Sequence, residues 1–318
     1  MPRFKTVSPE LTLRRQAEKS HAYHQRVKAA GGRLALSRVR QRKLDSLLGI
    51  DGCTPAVLLS DIQARHEAAK LLFQMTRKHL PALAPEGTPM FHITFADDIG
   101  LASDLEPTLK FEALKRKVDK AIRAMGLSAV VMVEVQALTN FAVKDKGRTL
   151  MLHAHALCWG PVSRRRFRGA KKKLNASRSW SNIFGAKPIV SRRLHHGLDD
   201  ALKIVCYIAK LPHDAKYMVP VLRISGQRFR FKPTLKGYTG SLALRIAEGL
   251  SHYTVFDAVF GVSDGKFIRK EWKSRLIAWQ RERVSSGAVQ VREFDVARFW
   301  RSVRGRLPKE RYRPFNLE

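Results

Sequence analysis

The sequence predicts an α+β fold in which helices pack on an antiparallel sheet. Short segments rich in β-branched and aromatic residues alternate with longer segments of helical periodicity, which places four strands between helices. With 318 residues and 44% hydrophobic residues, the chain can bury a core and is not a disordered basic tail. Breaks in the pattern divide it into a basic helical region (1–85), a region with the strands (86–215) and a mixed, mainly helical basic region (216–318).

The first region contains two predicted helical segments. Residues 1–43 are strongly basic, and they are expected either to lie along a phosphate backbone or to form a solvated tail. A long amphipathic helix is predicted from Thr54, a cap followed by a proline at the first helical position, to about Leu80. Prolines and a glycine then interrupt the chain between residues 81 and 89, where we expect a domain boundary.

The remaining elements follow from periodicity and turn residues. In the middle region we predict strands over 90–95, 129–136, 149–158 and 187–191, and helices over 111–125, 163–176 and 197–211. In the last region we predict a strand over 227–231 and helices over 240–250 and 265–283.

The charge of the chain predicts a polyanionic partner. Sixty Lys and Arg residues against 27 Asp and Glu residues give a net charge of +33, and nucleic acid is the simplest partner for it, although a ribosomal or architectural protein could have the same balance. No apolar stretch reaches transmembrane length, and residues 1–5 lack a signal peptide's apolar region, so no membrane partner is expected. Cys53, Cys158 and Cys206 form no C-x-x-C pair, which predicts buried thiols in a reducing cytoplasm.

Two histidines in the third strand are candidate metal ligands. Side chains two apart on a strand share a face, so His153 and His155 project together from an otherwise apolar segment. Core or hydrogen-bonded histidines are the alternative. Glu134, the one acidic residue of the second strand, is the candidate third ligand, with Gln136 on the same face as the substitute. Glu134 could instead pair with an arginine or lie on a solvated face.

A tyrosine on the following helix is a candidate nucleophile. Tyr207 and Lys210 are three residues apart and share a helix face, where a lysine could lower the pKa of the phenol or neutralise charge on a phosphate. Lys203, one turn earlier, adds to the same positive field and is a further candidate DNA-binding residue. The alternative is a structural tyrosine with a solvated hydroxyl.

A run of basic residues on the helix over 163–176 is the candidate DNA-binding surface. It contains no acidic residue, so contact with phosphates would relieve its internal repulsion, whereas the alternative is a solvated helix face. Its candidate DNA-binding residues are Arg164, Arg165, Arg166, Arg168, Lys171, Lys172 and Lys173. Phe167 and Trp180 could stack on bases or pack in the core. His195 lies near an element end and is expected to be solvated or in contact with phosphate.

Three motifs together resemble those of the HUH endonuclease superfamily, specifically its single-tyrosine replication initiators of rolling-circle plasmids and phages. Residues 91–95 (FHITF) resemble the first-strand motif, with His92 in place of the usual aliphatic residue. Residues 153–157 (HAHAL) match the histidine–hydrophobic–histidine motif, and residues 207–210 (YIAK) match the Y-x-x-K motif. The resemblance covers roughly residues 88–215, and the motifs follow the family's order.

This resemblance implies a central antiparallel sheet of RRM-like topology and a nicking domain over 86–215. His153, His155 and Glu134 would hold Mg²⁺ or Mn²⁺, and Tyr207 would attack DNA to leave a 5′-phosphotyrosine and a 3′-OH. The implied partners are DNA, as a single strand or a hairpin origin, and a host helicase and polymerase in a prokaryotic cytoplasm. A single-tyrosine transposase or mobilisation protein shares this chemistry, and a non-catalytic nucleic-acid-binding protein with the same sheet is the alternative from another class.

Overall fold

The computed structural model describes residues 8–140, 148–182, 184–209, 215–221, 228–233 and 240–307. The helices in these ranges are α1 Pro9–Gly32, α2 Arg38–Leu47, α3 Ile62–Leu83, α4 Phe111–Ala124, α5 Arg164–Ala176, α6 Gly197–Ile208, α7 Gly240–Leu250, α8 Val255–Ala258, α9 Gly265–Ser285 and α10 Val296–Arg304. The strands are β1 Met90–Ser103, β2 Ser128–Leu138, β3 Thr149–Trp159, β4 Ile189–Leu194, β5 Lys216–Val221, β6 Arg228–Pro233 and β7 Val259–Val262. The predicted α+β class is confirmed.

Most of the predicted elements are present. The four strands of the middle region are β1 to β4, although β1 continues to Ser103. The helix predicted over 111–125 is α4, and the basic helix is α5, whose first turn is capped by the Ser163 side chain. α6 ends at Ile208, and residues 210 and 211 at the end of the predicted helix lie outside the described residues. Periodicity therefore located the elements well where the chain alternates strand and helix.

The predicted start of the long N-terminal helix is wrong. α3 begins at Ile62, where the Asp61 carboxylate accepts a hydrogen bond from a backbone N–H of the first turn at 2.9 Å. Thr54 instead donates its hydroxyl to the carbonyl oxygen two residues later. Leu58 forms an isolated antiparallel bridge with Thr254, far along the chain. Residues 53–61 therefore form an irregular segment that is bridged at Cys53 and Leu58 to the C-terminal region.

Four strands form the centre of one sheet in the order β4-β1-β3-β2, and every neighbouring pair among them is antiparallel. β3, which carries the histidines, is an inner strand. α4 connects β1 to β2, and α5 connects β3 to β4. The side chains of this central sheet therefore divide between two faces, and β3 has a neighbouring strand on each side.

The sheet continues beyond β2 and becomes mixed. β7 pairs antiparallel with one end of β2, and β5 joins the other end in parallel and pairs with β6. The sequence did not predict β5 or β7. β2 also lies close to the start of α9, because a Cβ on Gly265 would come within 1.8 Å of the carbonyl oxygen of Ala129. Glycine is thus required where α9 meets the sheet.

The two faces of the central sheet are covered differently. On one face Phe91 stacks on Phe167 of α5 with ring centroids 4.2 Å apart, and Phe95 contacts Trp180. α4 lies on this face as well, since Lys117 lies over the Trp180 ring. α6 covers the opposite face, which carries the histidines. Apolar packing therefore fills one face, and polar side chains lie beneath a helix on the other.

The remaining helices extend the core. α3 packs on α6 and α9, and α1 packs on α7. The Trp272 indole donates to the carbonyl of Ala68 at 2.9 Å, which ties α9 to α3. One hydrophobic cluster runs from Tyr23 to Leu307 and includes residues of all three predicted regions, whose boundaries remain predictions. The three cysteines are buried free thiols, as expected. In the described part of the chain, no helix has both the length and the apolar character needed to cross a membrane.

Candidate metal centre and its surroundings

Strand register brings the three candidate metal ligands together. Glu134 of β2 lies directly opposite His153 of β3, so their side chains share a face with His155. Glu134 Oε2 lies 3.5 Å from His153 Nε2 and 3.8 Å from His155 Nε2. Each residue offers a ligand atom within 4.8 Å of the others, and all three residues are buried. This Glu–His–His cluster confirms that the three predicted ligands meet.

A hydrogen-bonding partner on β1 orients one imidazole. Thr94 lies opposite His155, and Thr94 Oγ1 is 2.9 Å from His155 Nδ1. When Nδ1–H donates to this hydroxyl oxygen, Nε2 presents its lone pair towards Glu134. An outer partner of this kind fixes tautomer and ring orientation in metal-binding histidines. Nδ1 of His153, by contrast, is buried without a hydrogen-bond partner among the described residues.

The donor set suits a divalent metal ion. Two neutral imidazoles and one carboxylate supply three ligands and leave further positions for water or substrate. Imidazole favours transition metals and carboxylate favours Mg²⁺ or Mn²⁺, and two histidines with one carboxylate also hold Fe(II) in other proteins. A cation held between the carboxylate and the two rings would offset the cost of burying the carboxylate charge. The cluster therefore fits a divalent ion without selecting which one.

α6 places the candidate nucleophile beside this cluster. The Tyr207 ring centroid lies 5.3 Å from that of His155 and 5.5 Å from that of His92, both with edge-to-face geometry. Leu202, Val205 and neighbouring apolar residues of α6 are buried and fix the helix on the sheet. Tyr207 is half-buried against the core. Lys210 lies outside the described residues, so its predicted pairing with Tyr207 remains a prediction.

Lys203 has a carboxylate neighbour on its own helix. Its Nζ lies 4.0 Å from Asp200 Oδ1, one turn earlier. Burial alone would raise the pKa of Asp200, but hydrogen bonds from the backbone N–H groups of His195 and His196 outweigh it and hold this pKa below its usual value. The ionised Asp200 therefore offsets part of the positive charge of Lys203. The predicted contact of Lys203 with DNA remains untested.

β1 contributes two residues that the ligand prediction omitted. His92 and Thr94 lie on the face of the Glu–His–His cluster because they alternate with Phe91 and Phe95, which face the apolar side. The His92 ring lies 5.3 Å from that of His155. The alternation within FHITF carries this information, but their proximity to the cluster depends on β1 pairing with β3.

The predicted DNA-binding run lies on α5, which packs on the face of the sheet opposite the Glu–His–His cluster. Arg164, Arg165, Arg166, Arg168, Lys172 and Lys173 are exposed. Lys171 is half-buried and donates to Ser191 Oγ at 2.7 Å. Phe167 and Trp180 are buried against the sheet, which supports the alternative of core packing and not base stacking.

Gln136, the alternative third ligand, lies on the same face of β2 as Glu134. It lies opposite Met151, two pairs beyond Glu134 and His153, and its side-chain amide is 3.4 Å from the carbonyl oxygen of Ala137. Among the His, Cys, Asp and Glu side chains of the described residues, Glu134 is the one grouped with the two histidines.

Comparison of the chain with protein-family models, with curated proteins and with solved structures finds no match in any of the three.

Proposed function

We propose that this protein nicks and rejoins single-stranded DNA by tyrosine transesterification, with Tyr207 as nucleophile and the Glu–His–His cluster as the site of a divalent ion. The observation that carries the proposal is the contact between the Tyr207 ring and His155, a member of that cluster. A phenol, a metal-ligand set and a strongly basic chain are the groups that phosphodiester transfer requires.

Each residue has a defined role in the proposed reaction. Tyr207 Oη attacks the scissile phosphorus, its proton passes to solvent, and a bond to the 5′ phosphate forms. The bond from phosphorus to O3′ breaks, and O3′ takes a proton to give a free 3′-OH. A bound Mg²⁺ or Mn²⁺ would polarise the phosphate and stabilise the charge that develops on it. Reversal by the 3′-OH rejoins the strand, since the phosphotyrosine conserves the phosphodiester energy.

The strand order supports an RRM-like topology for the middle region. β4-β1-β3-β2 with all neighbours antiparallel, α4 after β1 and α5 after β3, is the arrangement of a split βαβ repeat. It places both histidines on an inner strand, as the resemblance implies. β5, β6 and β7 are additions to that pattern.

The biological setting we propose is initiation of rolling-circle replication of a plasmid or phage. A nick that leaves a free 3′-OH primes synthesis, and the covalent link retains the 5′ end for rejoining. A transposase or mobilisation protein would perform the same step at the ends of a mobile element. The position of the cut in the DNA around the gene separates these settings.

The proposal is tested by trapping the covalent intermediate. The full-length protein is incubated with Mn²⁺ and single-stranded oligonucleotides that tile the DNA flanking its gene. We expect a denaturation-resistant adduct that mass spectrometry maps to Tyr207, linked to the 5′ side of one cut.

Two variants make this assay specific. Tyr207→Phe should lose the adduct but keep DNA binding, because it removes only the hydroxyl. Tyr217→Phe, a matched change on β5, should keep the adduct. An adduct on another tyrosine, or a cut that leaves no protein attached, would contradict the assigned nucleophile. DNA binding with no cleavage under any divalent metal would favour a non-catalytic binding protein.

A further inference from the structure

A cleft between α5 and β4 lies on the face of the sheet opposite the Glu–His–His cluster. It has a volume of about 300 Å³, and we call it the α5–β4 cleft. Its lining residues are Phe91, Phe167, Arg164, Arg168, Lys171, Ser191, Arg193 and His195. The stacked rings of Phe91 and Phe167 are buried and form its apolar part. The remaining lining side chains are basic groups and one hydroxyl, and no described carboxylate lines it.

The charges in this cleft are not compensated by acidic residues. None of Arg164, Arg168, Lys171 and Arg193 forms an ion pair within the described ranges. Burial lowers the pKa of Lys171, and the neighbouring charges of Lys187 and Arg168 lower it further. An anion in the cleft would relieve this repulsion.

The walls of the cleft are held in place before any ligand arrives. The Asn175 side chain of α5 bonds to both backbone groups of Ile189 on β4: its Oδ1 accepts from the N–H and its Nδ2 donates to the carbonyl, each at 2.9 Å. Lys171 reaches across to Ser191 and adds a second tie. A fixed arrangement of donors costs less entropy when a ligand binds.

The shape of the surrounding surface favours a strand over a small anion. A larger cleft of about 630 Å³, beside the first turn of α6, shares Arg193 and His195 with the α5–β4 cleft. α5 also carries exposed cations that do not line the cleft, namely Arg165, Arg166, Lys172 and Lys173. A groove with charges along its length follows a nucleic-acid backbone, whereas a free phosphate needs only one enclosed point.

The path of such a strand crosses the outer edge of β4. Arg193 lies opposite Phe91 on the apolar side of β1, and Arg192 lies opposite His92 on the side of the Glu–His–His cluster. Adjacent residues of a strand project to opposite faces, so Arg193 and Arg192 project to opposite faces of the sheet at its outer edge. The cleft and the cluster can therefore contact different parts of one strand.

We propose that the α5–β4 cleft binds a phosphodiester group of single-stranded DNA at a distance from the cut. This inference rests on the proposed function for its ligand, since it assigns a second contact to the same substrate. Arg168 and Arg193 are the principal phosphate ligands, because an arginine fork donates two hydrogen bonds to phosphate oxygens. Lys171 and Ser191 complete the donor set.

The test compares two variants that each remove two arginines. Arg168→Gln with Arg193→Gln alters the cleft, whereas Arg275→Gln with Arg281→Gln alters exposed residues of α9, a helix that packs on α3 and β2 and contributes no residue to the cleft. Fluorescence anisotropy follows the binding of the full-length proteins to a mixed-sequence single strand of about 30 nucleotides. The measurements are made in EDTA over a series of salt concentrations.

We expect the cleft variant to lose at least about tenfold in affinity and to lower the salt slope by about 1.4, which is about 0.7 for each of two lost contacts. The control should lose about threefold or less, because exposed charges beyond a Debye length of about 8 Å are screened at physiological salt. Equal losses in the two variants would overturn the cleft as a specific site. A selective loss on duplex DNA with none on the single strand would also overturn it.

Two further experiments distinguish this inference from binding of free phosphate and from the proposed nicking reaction. Inorganic phosphate is titrated by calorimetry into the original protein and into the cleft variant. If only the original protein binds phosphate tightly while both bind the oligonucleotide equally well, the cleft is a site for a free anion and the proposal is overturned. The adduct assay is run separately with Mn²⁺. An adduct with no selective loss of binding rejects the cleft alone, whereas selective loss without any adduct rejects the nicking reaction and keeps the cleft as a strand-binding site.

Discussion

Two buried glutamates in this protein have chemically different neighbours. Glu248 of α7 is fully buried, and its carboxylate lies 3.2 Å from Arg245 Nη1 and 2.8 Å from Arg304 Nε. Glu134 of β2 is 5% exposed, and its carboxylate lies 3.5 Å from the imidazole of His153 and 3.8 Å from that of His155. The first carboxylate lies among guanidinium groups and the second beside imidazoles.

This difference separates a structural role from a binding role. A guanidinium is always protonated and donates hydrogen bonds in a fixed plane, so Glu248 completes an ion pair that joins α7 to α10. A neutral imidazole offers a lone pair that can bind a metal ion, so a carboxylate and two imidazoles together can hold a cation. The region around Glu248 is therefore complete as it stands, whereas the region around Glu134 is suited to receive an ion.

The largest expected effect is on adduct formation, when the two histidines of the Glu–His–His cluster are removed. Replacing both His153 and His155 by alanine should lower the rate of adduct formation by about 10⁴-fold or more, equivalent to about 5.5 kcal/mol. Affinity for single-stranded DNA should stay within about threefold, since the basic surface is unchanged. Adduct yield from a labelled oligonucleotide measures the first quantity and anisotropy measures the second. Full activity of the double variant, or of the original protein in excess EDTA, would remove the metal from the mechanism.

The next largest effect concerns the contribution of Glu248 to the stability of the fold. Glu248→Gln should lower the free energy of unfolding by about 3–5 kcal/mol, because it leaves the buried guanidinium of Arg245 without its carboxylate. Glu134→Gln in EDTA should change it by less than about 1 kcal/mol, because the amide keeps the shape of the carboxylate and can still form hydrogen bonds with the imidazoles. Urea titration measures both.

Similar losses in the two glutamine variants would show that the two carboxylates have the same role. If Glu248→Gln does not fold, Arg304→Gln supplies the same test with a milder change, because 43% of that side chain is exposed. Its loss should fall between those of the two glutamate variants.

The sequence was informative where local pattern decides the structure. Alternation within residues 149–158 placed His153 and His155 on one face, and the lone acid of the second strand pointed to Glu134 as the third member of the Glu–His–His cluster. What local pattern could not supply was register. Thr94 and His92 join the site only because β1 pairs with β3, and those partners lie about sixty residues apart in the chain.

The errors have the same origin. Asp61 begins α3 partly because Arg283 of α9, more than two hundred residues later, binds its carboxylate at 3.1 Å. β7 is four residues long and is stabilised by pairing with β2, so its own composition indicates a strand only weakly. Short elements that depend on distant partners are missed because tertiary contacts override local propensity.

A third effect follows from metal binding to the folded protein. With Mn²⁺ at about 100 times its dissociation constant, the free energy of unfolding should rise by about 2.7 kcal/mol, because the ion binds the native state. Glu134→Gln and His153→Ala should each abolish most of this gain, whereas Arg304→Gln should keep it. Thermal unfolding with a panel of Mg²⁺, Mn²⁺, Zn²⁺ and Fe²⁺ measures the gain and ranks the ions. An equal gain in the ligand variants would place the bound ion elsewhere.

The smallest effect concerns the residue that orients one ligand. Thr94→Val keeps the shape of the side chain but removes the hydroxyl that lies 2.9 Å from His155 Nδ1. The ring then loses its preferred tautomer, and outer partners of this kind are worth about 10–100-fold in metal affinity. We expect about a tenfold weaker affinity for Mn²⁺ by calorimetry, equivalent to about 1.4 kcal/mol. Stability in EDTA should change little, and Thr139→Val, at a hydroxyl beyond the end of β2, serves as the matched control. If Thr94→Val leaves metal affinity unchanged, then the hydroxyl does not set the tautomer, and the strand alone orients the imidazole of His155. If the affinity falls as expected, then β1 belongs to the metal centre as much as the two strands that carry the ligands.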